Sequence, residues 1–108
     1  MAKLEKMLYD DFNRIIGKIE AEILSGSSSA SLEDTSDFVD GDARCSVRVF
    51  ERYSAFGGNR VSLSVTLFQN GNGPIHLSAI TAGGSQAMFF KINTVGEEAF
   101  LDKLREIL

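Results

Sequence analysis

Hydrophobic positions near the start of the chain recur at steps of three and four. Leu4, Leu8, Phe12, Ile15, Ile16, Ile19 and Ile23 lie on one stripe, which predicts an amphipathic helix over residues 3–24. Gly17 interrupts that stripe at a cost of about 1 kcal/mol relative to alanine, so it marks either close packing against a sheet or nothing. Ser25-Gly26-Ser27-Ser28-Ser29 ends the element, since glycine suits a helix C-cap and serines favour an open loop.

From Ala43 to Asn93 the period changes to two. Arg44-Cys45-Ser46-Val47-Arg48-Val49 alternates, and so does Arg60-Val61-Ser62-Leu63-Ser64-Val65-Thr66-Leu67. That period belongs to strands with one buried face. A polar strand over residues 30–39 precedes them, and Asp40-Gly41 suits a tight hairpin. This turn sets Asp37 opposite Arg44, Thr35 opposite Ser46 and Glu33 opposite Arg48. In the strand 43–53 the valines place Cys45, Val47 and Val49 inward and Arg44, Arg48 and Arg52 outward. Continuing the alternation turns Glu51 inward and Phe50 outward, which asks for a solvated rim at Glu51 or a bulge near Phe50. The strand 60–68 buries Val61, Leu63, Val65 and Leu67. The strand 75–81 buries Ile75, Leu77 and Ala79 and exposes His76, Ser78 and Ile80. Gly83-Gly84 then offers a hairpin into a fifth strand, pairing Leu77 with Phe90 and Ala79 with Met88.

Thr94-Val95-Gly96-Glu97 has the spacing of a capping box, and Phe100, Leu101, Leu104, Ile107 and Leu108 continue it as a helical stripe. The predicted order is helix, five-stranded antiparallel meander, helix. With one good apolar sheet face, both helices are expected on it, giving a two-layer α+β sandwich and a single domain over residues 1–108.

Composition narrows the class. Of the 108 residues 44% are hydrophobic and 24% charged, an ordinary globular balance. A single cysteine excludes an internal disulfide and a multi-cysteine metal site. Lys3, Glu5 and Lys6 stand where a signal peptide needs its apolar region, and no run is long enough to span a membrane, so a cytoplasmic protein is expected. The net charge of −4 is unevenly spread. Residues 1–42 hold ten acids and four bases, whereas residues 43–93 hold five bases and only Glu51. An acidic chain with a basic middle argues against a general nucleic-acid binder.

Candidate chemistry is sparse. Ala82-Gly83-Gly84-Ser85-Gln86 and Phe56-Gly57-Gly58-Asn59 lack the spacing of a phosphate loop. Cys45, inward by parity, reads as an inert packing thiol. His76 has Thr66 and Lys91 as its expected cross-strand neighbours, and neither is a carboxylate that would orient it as a base. The acid pairs Asp10-Asp11, Asp40-Asp42 and Glu97-Glu98 sit in caps, turns or helix surfaces. Catalytic residues, metal sites and cofactors are therefore not expected. The exposed sheet face carries the functional expectation, with Arg48, Arg52, Phe50, Ser64, His76, Phe89 and Lys91 as its binding residues. Such a face suits an anionic ligand or an acidic protein partner. Two copies stacked through Phe50, Ile80 and Phe89 would make a homodimer.

The segments Arg44–Tyr53, Gly83-Gly84-Ser85-Gln86-Ala87 and Gly96-Glu97-Glu98-Ala99-Phe100-Leu101 resemble a small bacterial family of uncharacterised single-domain proteins. The resemblance implies a bacterial, cytosolic, stand-alone domain and carries no functional residues with it. The expected function is a non-enzymatic binding or protein-interaction module acting through the exposed sheet face. The alternative is a ligand carrier or enzyme with a pocket between helices and sheet.

Overall fold

A computed structural model describes residues 2–26, 29–53, 60–83, 104–105 and 108. Its elements are β1 (Ala2–Leu8), α1 (Phe12–Ser25), β2 (Ser31–Asp40), β3 (Ala43–Tyr53), β4 (Arg60–Asn70) and β5 (Ile75–Gly83). The five strands form one antiparallel sheet in the order β1-β5-β4-β3-β2. The predicted helix–meander–helix order is therefore corrected: the chain opens with a strand, and one helix follows it among the described residues. The predicted fifth strand and most of the terminal helix lie outside the described residues.

The opening strand was hidden by an ambiguity of spacing. Leu4 and Leu8 are four apart, which satisfies a helical stripe and, equally, alternate positions of a strand. Leu4, Lys6 and Leu8 pair with Ala79, Leu77 and Ile75 on the helix-covered side, while Lys3, Glu5 and Met7 turn away. Thr81 fixes the start of the strand. Its buried hydroxyl accepts from the Ala2 amide at 3.1 Å and donates to the Ala2 carbonyl at 3.3 Å. The break between the two elements is local chemistry. Asp11 caps α1, its carboxylate accepting from the Arg14 amide at 2.9 Å. From there the stripe is as read: Phe12, Ile15, Ile19 and Ile23 are buried against the sheet.

β1 and β2 run in the same direction at opposite edges, so α1 carries the chain from one edge to the other across the sheet. Beneath it lie Phe50, Val61, Leu63, Val65, Leu67, Ile75, Leu77 and Ala79, and Leu104 joins the same core. Gly17 is on the solvent side of α1, and a β-carbon there would meet nothing within 4 Å. It is not a packing glycine. Gly17→Ala is expected to raise stability by about 0.5–1 kcal/mol through helix propensity and the unfolded chain's entropy. Thermal unfolding, read as an increased midpoint, checks this.

The β2–β3 hairpin is offset from its predicted register. Asp40 pairs with Ala43, leaving Gly41 and Asp42 as the loop, so Asp37 faces Ser46 and Thr35 faces Arg48. Gly41 has φ 59° and no other residue type adopts positive φ among the described residues. A single left-handed residue at the first loop position is where a type II′ turn takes glycine, whereas a type I′ turn needs two.

The larger correction concerns β3. Phe50 pairs with Leu63, Arg48 with Val65 and Ser46 with Leu67, so these even-numbered residues face the helix. Cys45, Val47, Val49 and Glu51 face the other way. Phe50 decides the parity: a fully buried phenylalanine outweighs two half-buried valines in apolar area. β3 itself pairs with β4 without a bulge at Phe50. The register shift of the β2–β3 hairpin falls between Leu32 and Asp34 in β2. Glu51 lies near the end of the uncovered face and forms an ion pair with Arg60 at 2.8 Å.

Candidate functional site

The inverted parity redistributes the residues expected to form a site. Arg48 and Phe50 lie on the helix-covered side, at 8% and 0% exposure, and Arg52 shares that side. Ser64 and His76 lie on the open side. Phe89 and Lys91 fall outside the described residues. The expected set is thus split between two faces of one sheet.

On the covered side the arginines of β3 serve the helix. Arg44 stacks on the Phe12 ring at 3.9 Å and donates to Asn13 Oδ1 at 2.8 Å. Arg48 donates from Nε to Glu20 at 2.7 Å, and from Nη1 to Asp37 at 3.1 Å and to the Val47 carbonyl at 2.9 Å. The Ser46 hydroxyl donates to the same Asp37 oxygen at 2.6 Å. These contacts hold Asp37 below the usual carboxylate range, the Ser46 hydrogen bond first and Arg48 second. Burial opposes the charge on Arg48, and its bonds to Glu20 and Asp37 outweigh that opposition, so its affinity for a proton rises. Around Arg52 burial pushes the guanidinium the other way. Here charge ties α1 to β2 and β3, and the basic surface inferred from the β3 arginines is mostly a seam inside the fold.

The open face has a different character. One row of neighbours crosses all five strands: Met7, His76, Phe68, Cys45 and Phe38. Their side chains share this face because each is paired directly with the next. Met7 is 55% exposed, Phe38 63% and Phe68 42%. The Phe68 and His76 rings lie 6.4 Å apart and tilted by 36°. Two rows along, Lys3, Ile80, Ser64, Val49 and Asp34 cross the sheet, with Ile80 39% exposed. Between them run Glu5, Ser78, Thr66, Val47 and Ser36.

Among the described residues three hollows mark this surface, one of them, of about 310 Å³, lying past the Ile80–Ser64 row among Glu51, Arg60, Ser62 and Ala82. A depression of about 400 Å³ lies among Met7, Thr66, Phe68, His76 and Ser78 on the β1–β5–β4 side. A smaller one of about 220 Å³ lies among Asp34, Ser36, Val47 and Val49 on the β2–β3 side. Among the described residues no three His, Cys, Asp or Glu side chains group as metal ligands. The chemistry on offer is apolar contact flanked by hydroxyls, with charge only toward the edges.

Sequence reasoning missed Met7, Phe38, Phe68, Cys45, Val47 and Val49 as members of this face. Met7 lies inside the span 3–24 whose spacing predicts a helix, and the parity of the valines predicts the three β3 residues in the core. Phe68 was legible, since it follows Leu67 in an alternation that buries the odd positions. Phe38 stood out only as an apolar residue in a polar strand.

Fold and face together define a small domain in which one helix covers one side of a five-stranded antiparallel sheet and the other side carries exposed apolar residues. The whole chain, residues 1–108, matches the model of a family of unknown function (DUF6054), and the protein belongs to that family. No curated protein matches the chain. No described helix is long and apolar enough to cross a membrane.

Proposed function

We propose that the protein is a non-enzymatic binding module that acts through the open sheet face. One observation carries the reading: the unbroken row Met7–His76–Phe68–Cys45–Phe38, in which three large apolar side chains are substantially exposed. An antiparallel sheet that merely faces water alternates apolar-in and polar-out, and exposed apolar residues that run together mark contact surfaces. The partner surface is largely apolar rather than acidic, since Arg44, Arg48 and Arg52 lie on the opposite side. Among the described residues Phe12, Ile19, Phe50 and Leu63 are buried together between α1 and the sheet, which favours the open face over a carrier or enzyme pocket there. The single cysteine fits a reducing compartment, so a cytosolic site of action is part of the reading.

Amide chemical-shift titration of the full chain with acyl ligands, mononucleotides, short oligonucleotides and apolar peptides tests this. Shifts at Met7, Phe68, His76 and Ile80 are the expected result. Shifts confined to Phe12, Leu63 and Val65 would move the site between helix and sheet and overturn it.

A further inference from the structure

We infer that the occupant of the open face is a second copy of this chain, stacked face to face about a two-fold axis that runs along β4. This rests on the open-face reading and names its partner. β4 is the central strand, so such an axis exchanges β5 with β3 and β1 with β2. Each row of the face then lies over the same row of the second copy, reversed. Met7 comes over Phe38, Ile80 over Val49 and Lys3 over Asp34, while Phe68 meets Phe68 on the axis.

Charge and shape both support that pairing. Lys3 and Asp34 stand at opposite ends of one row, and the axis brings each onto the other; Glu5, which Lys3 contacts at 3.2 Å within its own chain, comes over Ser36. No acid faces an acid in these rows. A two-fold axis running across the strands instead would set Phe38 over Asp34 and Met7 over Lys3, apolar against charged. Relief agrees with the first axis. Phe38 stands out from β2, and the position opposite it is the 400 Å³ depression beside Met7, His76 and Phe68. Ile80 stands out from β5, and opposite it lies the 220 Å³ hollow beside Asp34, Val47 and Val49. Phe38 and Ile80 each meet a hollow, twice over by symmetry as in an isologous interface, while Phe68 meets its own copy on the axis. At ordinary strand spacing and rise the face measures about 24 Å by 24 Å in plan, about 580 Å². That is the size of a small specific interface, standard ones burying ~800 Å² per partner. Aligned sheets pack in this way with strands within about 30° of each other.

Sedimentation velocity of the full chain over a range of concentrations, with amide shifts followed on dilution, tests the inference. A dimer is expected, and its dilution shifts fall at Met7, Phe38, Phe68 and Ile80. Phe38→Glu, at an exposed position that leaves the core intact, is expected to weaken dimerisation at least tenfold, or ~1.4 kcal/mol. Lys3→Asp alone weakens it, and Lys3→Asp with Asp34→Lys restores it. Cys45 reacts more slowly with a thiol reagent as protein concentration rises. A monomer at every concentration overturns the inference, as does a dimer that Phe38→Glu leaves unchanged. If a monomer still shows ligand-induced shifts on the open face, only the choice of partner has failed. If it shows none, the open-face reading fails with it.

Discussion

Phe50→Ala is expected to lower unfolding stability by about 3–5 kcal/mol, the range for a phenylalanine removed from a packed core. Phe50 has no exposed surface, sits opposite Leu63 and beside Leu32, and is among the largest fully buried side chains. Removing its ring withdraws apolar area and leaves a cavity that the flanking strands cannot close, because their ladders fix their spacing. Small domains have only about 5–15 kcal/mol of stability, so the variant loses a large share of it. Val47→Ala is the paired control. Val47 is half-buried on the open face, and its truncation is expected to cost about 1 kcal/mol or less in dilute protein. The reverse ranking would follow from a β3 with Val47 inward and Phe50 in solvent. Urea unfolding of both variants, with unchanged m-values, separates the two parities.

That ranking also shows where the sequence could be read and where it could not. The alternation of β4 and β5 was unambiguous, because Val61, Leu63, Val65 and Leu67 face Ser62, Ser64 and Thr66, and those faces are as expected. β3 offers no such contrast: valines on one side oppose a phenylalanine and three arginines on the other. Local hydrophobicity favours the valines. What reverses it is tertiary: Phe12, Asn13 and Glu20 on α1 supply partners for Arg44 and Arg48, so arginines can line a covered face at little cost. Those partners are 28 and more positions away in the chain, outside any local pattern. β1 failed for another reason. Seven residues with leucines four apart satisfy both periods, and the Asp11 cap that divides strand from helix competes with an apolar stripe running through it. The site followed the parity of β3. Once Arg48 and Phe50 moved to the covered side, the exposed surface changed from a basic patch to an apolar row, and the kind of partner it fits changed too.

Arg48 is the place where that seam can be measured. Breaking a wholly buried ion pair costs about 3–5 kcal/mol, because it strands the remaining charge. Here the side chains of Glu20 and Asp37 keep 32% and 55% of their exposure, so water can take over their hydrogen bonds. The expected loss for Arg48→Ala is therefore smaller, about 2 kcal/mol, and includes the packing of its stem. Arg48→Met keeps most of that stem, and its loss is expected near 1 kcal/mol. Double-mutant cycles with Glu20→Gln and Asp37→Asn isolate the charge contribution. Acid titration gives an independent readout. The Asp37 carboxyl titrates below its ordinary value in the folded protein, so its contribution is complete above the unfolded pKa, about 3.9. It disappears as pH falls through the lowered folded value. Urea midpoints between about pH 5 and pH 2 should then fall less steeply in Arg48→Met than in the parent, although the Ser46 hydrogen bond preserves part of the slope. A variant as stable as the parent, with the same acid slope, would assign the network to fixing how α1 sits on β3 rather than to stability.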